Sequence, residues 1–249
     1  MSIKKSYFIF LSAGLVCAVL AVFLSRFHTF NNVDPHSSST EKEKKYPVVI
    51  IDAGHGGEDG GAIGTNGVYE KDLNLKISLE LEELFRSKQI PTRLTRTEDT
   101  LLYDKSTDYE GHKKALDMEA RVAIANEYEN AIFVSIHMNS FTQEKYSGLQ
   151  VYYSENSPYS AVLAKEIQDM TSTNLQPSNN RKIKPSNNGI YLLDNIYHPS
   201  ILIECGFLSN EEECNLLCNE EYQKRLSLII FSAIMKYFDF YEYNQYDYT

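Results

Sequence analysis

Short runs of apolar, mostly β-branched residues alternate with longer stretches of helical periodicity, and this alternation constrains the fold more than any other feature of the chain. The predicted elements in chain order are strand 47–53, helix 71–88, strand 90–95, helix 117–128, strand 131–136, strand 147–153, helix 158–173, strand 189–193, strand 200–204 and helices 210–218 and 220–238. Short β-branched runs are typical of buried parallel strands. We therefore predict an α/β fold, a single domain with a mostly parallel, about six-stranded central sheet covered by helices on both faces.

The first 26 residues have the pattern of a membrane-directed segment. Lys4 and Lys5 precede the eighteen uncharged residues of Tyr7–Leu24, and Arg26 follows them. Eighteen residues is short for a membrane span but longer than the usual core of a signal peptide. We predict an uncleaved signal anchor over 1–26, with a cleaved signal peptide as the alternative. Because the two lysines should stay in the cytoplasm, the rest of the chain is expected on the extracytoplasmic face of the membrane.

Composition divides the remaining chain into three parts. Residues 27–46 are polar, with asparagine and serine runs and alternating lysine and glutamate, which is typical of a linker. The strand and helix pattern fills residues 47–238, the predicted folded domain. Residues 239–249 form an acidic tail rich in tyrosine. We interpret it as a solvated helix end, with a surface for a partner protein as the alternative.

Charge and cysteine usage exclude two classes of protein. The formal net charge is −10 and the basic clusters are short, so the chain has no predicted nucleic-acid surface. Three cysteines lie outside the N-terminal segment, and this odd number rules out a full disulfide framework. Cys214 and Cys218 share one helix face, where core positions are favoured over a metal site or a disulfide.

Four polar side chains stand where apolar runs end. His55 follows the first predicted strand, His137 follows strand 131–136, and Glu204 ends the last strand. Glu70 opens the helix after the glycine-rich loop. In open α/β sheets, ligands bind outside the carboxyl ends of the strands. Two imidazoles and one carboxylate as ligands, with a second carboxylate as base, predict a catalytic zinc site.

Each of these residues also has a structural explanation. A carboxylate in a first helical turn, such as Glu70, can simply complement the helix dipole. Glu204 could cap a helix or form an ion pair, although a carboxylate at the end of a buried strand needs a partner. A single histidine beside a sheet is often structural, but two at equivalent strand ends favour a metal site. His112, in a polar stretch, and His198, in a turn before Pro199, are not predicted to be ligands.

Six segments resemble the zinc-dependent N-acetylmuramoyl-L-alanine amidase family, amidase type 3. They are Ile51–Gly57, Glu70–Leu73, Leu94–Thr97, Arg121–Asn126, Val134–Asn139 and Ile203–Asn210, and they span nearly all of 47–238. The resemblance implies that His55, Glu70 and His137 bind zinc and that Glu204 is the catalytic acid and base. It also implies the substrate, the amide between muramic acid and the L-alanine of the peptidoglycan stem peptide.

Within that family, the chain resembles the germination-specific spore-cortex amidases. The features are a compact domain without repeats, the polar stretch 97–116 and Ile190–Leu193. Such enzymes remove whole stem peptides before muramic δ-lactam forms, which implies the forespore intermembrane space as a location. The loops at 97–116 and 174–188 are too short and too polar for the inserted helix that blocks the site in some relatives. Control by a separate activating protein or by zinc occupancy is therefore our hypothesis.

Some assignments stay open from sequence alone. Arg96, Arg121 and Asn139 could hold substrate or could fix the loops through salt bridges. A zinc carboxypeptidase or a polysaccharide deacetylase uses a similar residue set, although the fifteen positions between His55 and Glu70 are unlike the short spacing usual in carboxypeptidases. A catalytically weak or inactive protein of the same fold that binds peptidoglycan or activates another hydrolase is the non-enzymatic alternative.

Overall fold

The six strands of the structure form one sheet. The computed structural model describes residues 46–104, 106, 111–187 and 189–246, with backbone only for 241–246. The strands are β1 (Val48–Ala53), β2 (Thr92–Leu94), β3 (Ala131–Asn139), β4 (Gln150–Tyr153), β5 (Lys184–Pro185) and β6 (Ser200–Phe207). The helices are α1 (Glu70–Ser87), α2 (Lys113–Asn126), α3 (Pro158–Asn174), α4 (Tyr191–Asn195), α5 (Glu211–Leu217) and α6 (Glu220–Tyr246).

The sheet is mixed, with a single antiparallel step among the described strands. Its order is β2-β1-β3-β6-β4-β5. All neighbouring pairs are parallel except β4 and β6. The predicted α/β domain with a mostly parallel sheet of about six strands is therefore confirmed. The antiparallel β4 places its first residues beside the carboxyl end of β6, next to the candidate site.

Apolar side chains alternate between two cores, one on each face of the sheet. Val49 and Ile51 of β1 belong to the larger core, which α1, α3, α5 and α6 cover. Ile50, between them, belongs to a smaller core with residues of α2 and α4. This alternation follows from the two-residue period of a strand. It confirms that helices cover both faces.

One predicted element was of the wrong type, and the predicted end of the last helix was too early. The predicted strand 189–193 is not a strand: Tyr191–Asn195 forms a short helix, and the sixth strand is Lys184–Pro185. Periodicity cannot distinguish a short apolar run in a strand from one in a helix, and Leu192 and Leu193 are buried either way. The last helix does not end at 238 but continues to Tyr246.

The predicted membrane segment 1–26 and nearly all of the linker 27–46 lie outside the described residues. Among the helices that the structure describes, none is long and apolar enough to cross a membrane. The described chain begins at Tyr46, whose ring packs against Phe238 of α6 with a centroid distance of 5.5 Å.

Candidate metal centre and active site

The carboxyl ends of three neighbouring parallel strands bring the predicted residues together. His137 and Glu204 are directly opposite each other in the β3–β6 pair. His55 follows the end of β1, the other neighbour of β3. Glu70 comes from the start of α1, and the ligand atoms of His55, Glu70 and His137 all lie within 4.8 Å of one another. In the described part of the chain these three form the only such group of potential metal donors.

The Glu70 carboxylate lies at the centre of this group and is almost fully buried, with 3% of its surface exposed. Its Oε1 is 3.0 Å from His137 Nδ1 and 3.2 Å from His55 Nε2. The backbone N–H of Ala62 donates to Oε2 at 2.8 Å, and that of Met138 donates to Oε1 at 3.0 Å. Burial raises the pKa of Glu70, but the two histidines outweigh it and hold the pKa well below its usual range. The carboxylate therefore stays ionised.

His55 is held between two carboxylates. Its Nδ1 lies 2.9 Å from Asp59 Oδ2, and its other ring nitrogen faces Glu70. Burial lowers the pKa of His55, but Glu70 and Asp59 outweigh that effect and raise it to about 9. The two carboxylates therefore favour a positive charge between them. A protonated His55 supplies that charge, and a metal ion bound by neutral imidazoles would supply it as well. A carboxylate on the second ring nitrogen is also the usual support of a metal-binding histidine.

The backbone around the site needs glycine at two positions. A Cβ atom on Gly54 would lie 2.3 Å from the His137 ring. A Cβ atom on Gly61 would lie 2.5 Å from a Glu70 oxygen, and Gly61 has a positive φ of 67°. His55 itself has a φ of 61°, a conformation uncommon for residues with a side chain. The loop is thus shaped by the close approach of the three candidate ligands.

We expect Gly54→Ala to weaken metal binding by about 10- to 100-fold, because the added methyl group must displace the His137 ring. The measurement is zinc affinity by competition with a chelator. Gly67→Ala is the matched control, since a Cβ atom there meets nothing within 4 Å although its φ is 85°. If the Gly54→Ala variant and the native protein bind zinc with equal affinity, zinc binding does not depend on the observed position of the His137 ring.

Glu204 has the environment of a catalytic base. Its Oε2 is buried and has no hydrogen-bond partner among the described residues. Burial raises the pKa of Glu204 to about 7, more than His137 and His55 lower it. A carboxyl group with this pKa can both accept and release a proton near neutral pH.

Arg96 and Arg121 hold the backbone of the site. Arg121 donates to the carbonyls of Ala53 and His55, both at 2.8 Å. Arg96 donates to the carbonyls of Ala53 at 2.9 Å and Gly54 at 3.0 Å. Both side chains are buried, at 2% and 3% exposure, so of the two roles that sequence left open the structure supports fixing the loop.

Two carboxylates that support the site were missed from sequence. Asp52, buried in β1, accepts from Arg121 at 2.5 Å and from the Ser135 hydroxyl at 2.6 Å. Asp59 contacts His55 and also forms an ion pair with Lys114 at 2.9 Å. A signal for Asp52 was present, because a carboxylate inside an apolar strand requires a buried partner.

The remaining candidates stay outside the group of donors. His112 precedes α2 and His198 precedes β6, and neither belongs to the donor group. Cys205 and Cys214 are buried and Cys218 is partly buried, and all three are free, in agreement with the predicted core positions. Asn139 ends β3, where its carbonyl accepts a hydrogen bond from the Leu208 N–H at 2.8 Å.

This α/β domain gathers two imidazoles and a carboxylate that could hold a metal ion, beside a second carboxylate with one buried oxygen that has no hydrogen-bond partner among the described residues. Such an arrangement suits a metal-dependent hydrolase. Comparison with known proteins specifies the family. Residues 49–236 match the family model described as N-acetylmuramoyl-L-alanine amidase, and the chain belongs to this family. It is therefore an amidase that acts on peptidoglycan.

Individual relatives agree with this assignment. The chain is 34% identical over 220 residues to the germination-specific N-acetylmuramoyl-L-alanine amidase of Bacillus subtilis, covering 88% of this chain and 91% of that protein. Its fold matches that of the CwlD amidase from Clostridioides difficile, solved in complex with the GerS lipoprotein, with a TM-score of 0.73 and 41% identity over 78% of this chain and 98% of that one. The catalytic domain of the CwlV amidase from Bacillus (Paenibacillus) polymyxa matches with a TM-score of 0.63 and 30% identity, over 78% of this chain and 98% of that domain.

Proposed function

We propose that the protein is a zinc-dependent amidase that hydrolyses the bond between N-acetylmuramic acid and the L-alanine of the stem peptide. In this proposal His55, Glu70 and His137 bind zinc and Glu204 is the catalytic base. The main observation in its favour is that the ligand atoms of the three residues lie within 4.8 Å of one another. Glu204 is paired with His137 on the neighbouring strand.

The donor set suits zinc. Two histidine nitrogens and one carboxylate oxygen are a common ligand set of catalytic zinc, and they leave a position open for substrate or water. Zinc bound there would acidify water and polarise the scissile carbonyl. The contacts of Asp59 and of the backbone N–H groups of Ala62 and Met138 keep the ligands oriented.

The chain supplies the proton transfers. Glu204 takes a proton from the attacking water and delivers it to the amide nitrogen, which leaves as an amine. Because Oε2 of Glu204 has no partner in the described residues, it is available for this exchange. Arg96 and Arg121 keep the carbonyls of residues 53–55 in place, so that His55 holds its position through the reaction.

We further propose a role in the spore cortex, where removal of whole stem peptides would precede muramic δ-lactam formation and germination. The similarity to the germination-specific Bacillus subtilis enzyme supports this role. Residues 1–26 would anchor or export the chain and residues 47–238 would form the zinc amidase domain, on the extracytoplasmic face of the membrane or in the forespore intermembrane space.

A protein partner is part of the proposal. The similar CwlD amidase was solved in complex with a lipoprotein, which supports an activating partner of that kind for this chain. If the zinc-loaded pure protein already cleaves cortex peptidoglycan at its full rate, so that extract from sporulating cells adds nothing, the need for a partner is refuted.

Product analysis tests the reaction. Full-length zinc-loaded protein is incubated with cortex peptidoglycan, and the soluble products are analysed by mass spectrometry. We expect free stem peptides with an alanine amino terminus, together with peptide-free muramic acid. Release of acetate would indicate deacetylation instead. Bound zinc without any product, also in the presence of sporulation extract, would favour the inactive peptidoglycan-binding protein.

A further inference from the structure

A cationic side chain, Arg181, contacts Gln150, the residue that is paired with Glu204 in the sheet. Gln150 is directly opposite Glu204 in the antiparallel β4–β6 pair, and opposed residues place their side chains on the same face of a sheet. The Gln150 amide contacts the loop after α3: its Oε1 accepts from Arg181 Nη1 at 3.2 Å, and its Nε2 donates to the Lys182 carbonyl at 2.7 Å. A single residue therefore connects the guanidinium of Arg181 to the strand position opposite Glu204.

Several contacts fix the orientation of Arg181. Its Nε donates to the Ser147 carbonyl at 2.8 Å, and its backbone N–H donates to Asn179 Oδ1 at 3.0 Å. The central guanidinium carbon lies 4.5 Å from the centroid of the Phe207 ring and 5.9 Å from that of Tyr146. A planar guanidinium held in this way is already oriented for a carboxylate, so that little conformational entropy is lost on binding.

In the part of the chain that the structure describes, Arg181 forms no direct ion pair, although its charge partly offsets the rise that burial causes in the pKa of Glu213. None of the ion pairs between described residues includes it. Its Nη2 makes no hydrogen bond to a described residue. The neighbouring acid Glu213 is occupied by other donors, since the Gly148 and Phe207 N–H groups bind its oxygens at 2.8 and 2.7 Å. A half-buried arginine with a free N–H edge is suited to bind an external anion.

A cavity lies beside Arg181. Its volume is about 490 Å³, and its border includes two cationic residues, Arg181 and Lys145, and two acidic ones, Glu212 and Glu213. This volume lies in the range of ordinary ligand pockets. Gln150 contacts Arg181 and is paired with Glu204, so one side chain separates the guanidinium from the strand position of the candidate base. A substrate bound at that base would extend the residues that follow its amide toward this cavity.

We propose that Arg181 binds a carboxylate of the stem peptide and makes the enzyme specific for the acidic peptide part of its substrate. This inference rests on the proposed cleavage of the muramoyl–alanine amide. The peptide side of that bond carries free carboxylates, whereas the lactyl carboxyl of the sugar is consumed in the amide. With a net charge of −10 the protein as a whole repels an acidic peptide, so a local cation is needed to bind it.

The test compares two substrates, an N-acetylmuramoyl peptide with free carboxylates and the same compound with its carboxylates amidated. For the native zinc-loaded protein, kcat/KM should be about 10- to 100-fold lower on the amidated substrate, the effect of losing one charge-assisted hydrogen bond. In the Arg181→Gln variant, kcat/KM should fall by a similar factor on the free-carboxylate substrate and should not change on the amidated one. Lys182→Gln, which removes the adjacent positive charge, should leave the discrimination intact.

Two results would overturn the inference: equal kcat/KM of the native protein on both substrates, or an equal loss on both in Arg181→Gln. The first comparison needs no variant, so it stands even if Arg181→Gln does not fold. Calorimetric binding of the released peptide, free and amidated, gives a readout without turnover. If the native protein cleaves neither substrate, also with extract from sporulating cells added, the proposed function has failed. A lack of preference for the free peptide in the binding measurement would separately refute the role of Arg181.

Discussion

Glu204→Gln should lower turnover by about 10² to 10⁴-fold while zinc stays bound at one ion per chain, because the variant loses the group that moves the proton and keeps all three ligands. The buried Oε2 of Glu204 has no partner among the described residues, so glutamine breaks no hydrogen bond at that atom. Turnover is measured as free amino groups released from peptidoglycan, and zinc by elemental analysis of the same sample.

The same variant should also be more stable without metal. Burial raises the pKa of Glu204 to about 7, so above that pH the folded state must hold an ionised carboxylate that it disfavours. The cost is absent at acidic pH, where the group is protonated both folded and unfolded, and it is complete at pH 8. Glutamine cannot ionise, so the variant does not bear this cost. At pH 8 the metal-free variant should therefore gain on the order of 2–3 kcal/mol in unfolding free energy. A variant that is inactive, less stable and poor in zinc would indicate a structural role for Glu204.

Glu70→Gln should abolish zinc binding at micromolar zinc and, with it, activity. The carboxylate accepts from the N–H groups of Ala62 and Met138 on different oxygens and faces both imidazoles. A glutamine offers one acceptor oxygen, so one of these N–H groups is left facing an NH₂ group. We expect a further loss of about 1–3 kcal/mol in stability from that unpaired group. Zinc content after dialysis and thermal unfolding report the two effects.

Asp72→Asn is the matched control for Glu70→Gln. Asp72 is in the same first turn of α1 but is exposed, so its replacement removes the same charge from the same helix end. If both variants lose zinc equally, the effect comes from the helix dipole or from net charge, and Glu70 is not a ligand.

Much of the fold and of the site could be predicted because both depend on local patterns. The alternation of β-branched runs with amphipathic helices determines a mostly parallel sheet, and parallel strands bring His55, His137 and Glu204 to one edge. The position of Glu70 after the glycine-rich loop made it a candidate, but a carboxylate in a first helical turn has an ordinary explanation, so its assignment depended most on the resemblance to a family.

Other features depend on contacts between residues distant in sequence, and no local pattern shows them. The bond from Arg121 to Asp52 joins residues 69 positions apart, and the contact of Arg181 with Gln150 spans 31 positions. The segment 189–193 was assigned to the wrong element because its apolar run suits a strand as well as a helix. In the structure this segment forms a short helix that buries Leu192 and Leu193 in the smaller core.

The most direct test of the central claim is to locate the metal itself, by anomalous scattering at the zinc edge from crystals of the zinc-loaded protein. We expect one zinc ion bound by His55, Glu70 and His137, with metal–ligand distances of about 2.0–2.2 Å. Glu204 should lie near the ion without binding it. Zinc at another position, or bound by Glu204 or by the cysteines in place of these three residues, would contradict the account.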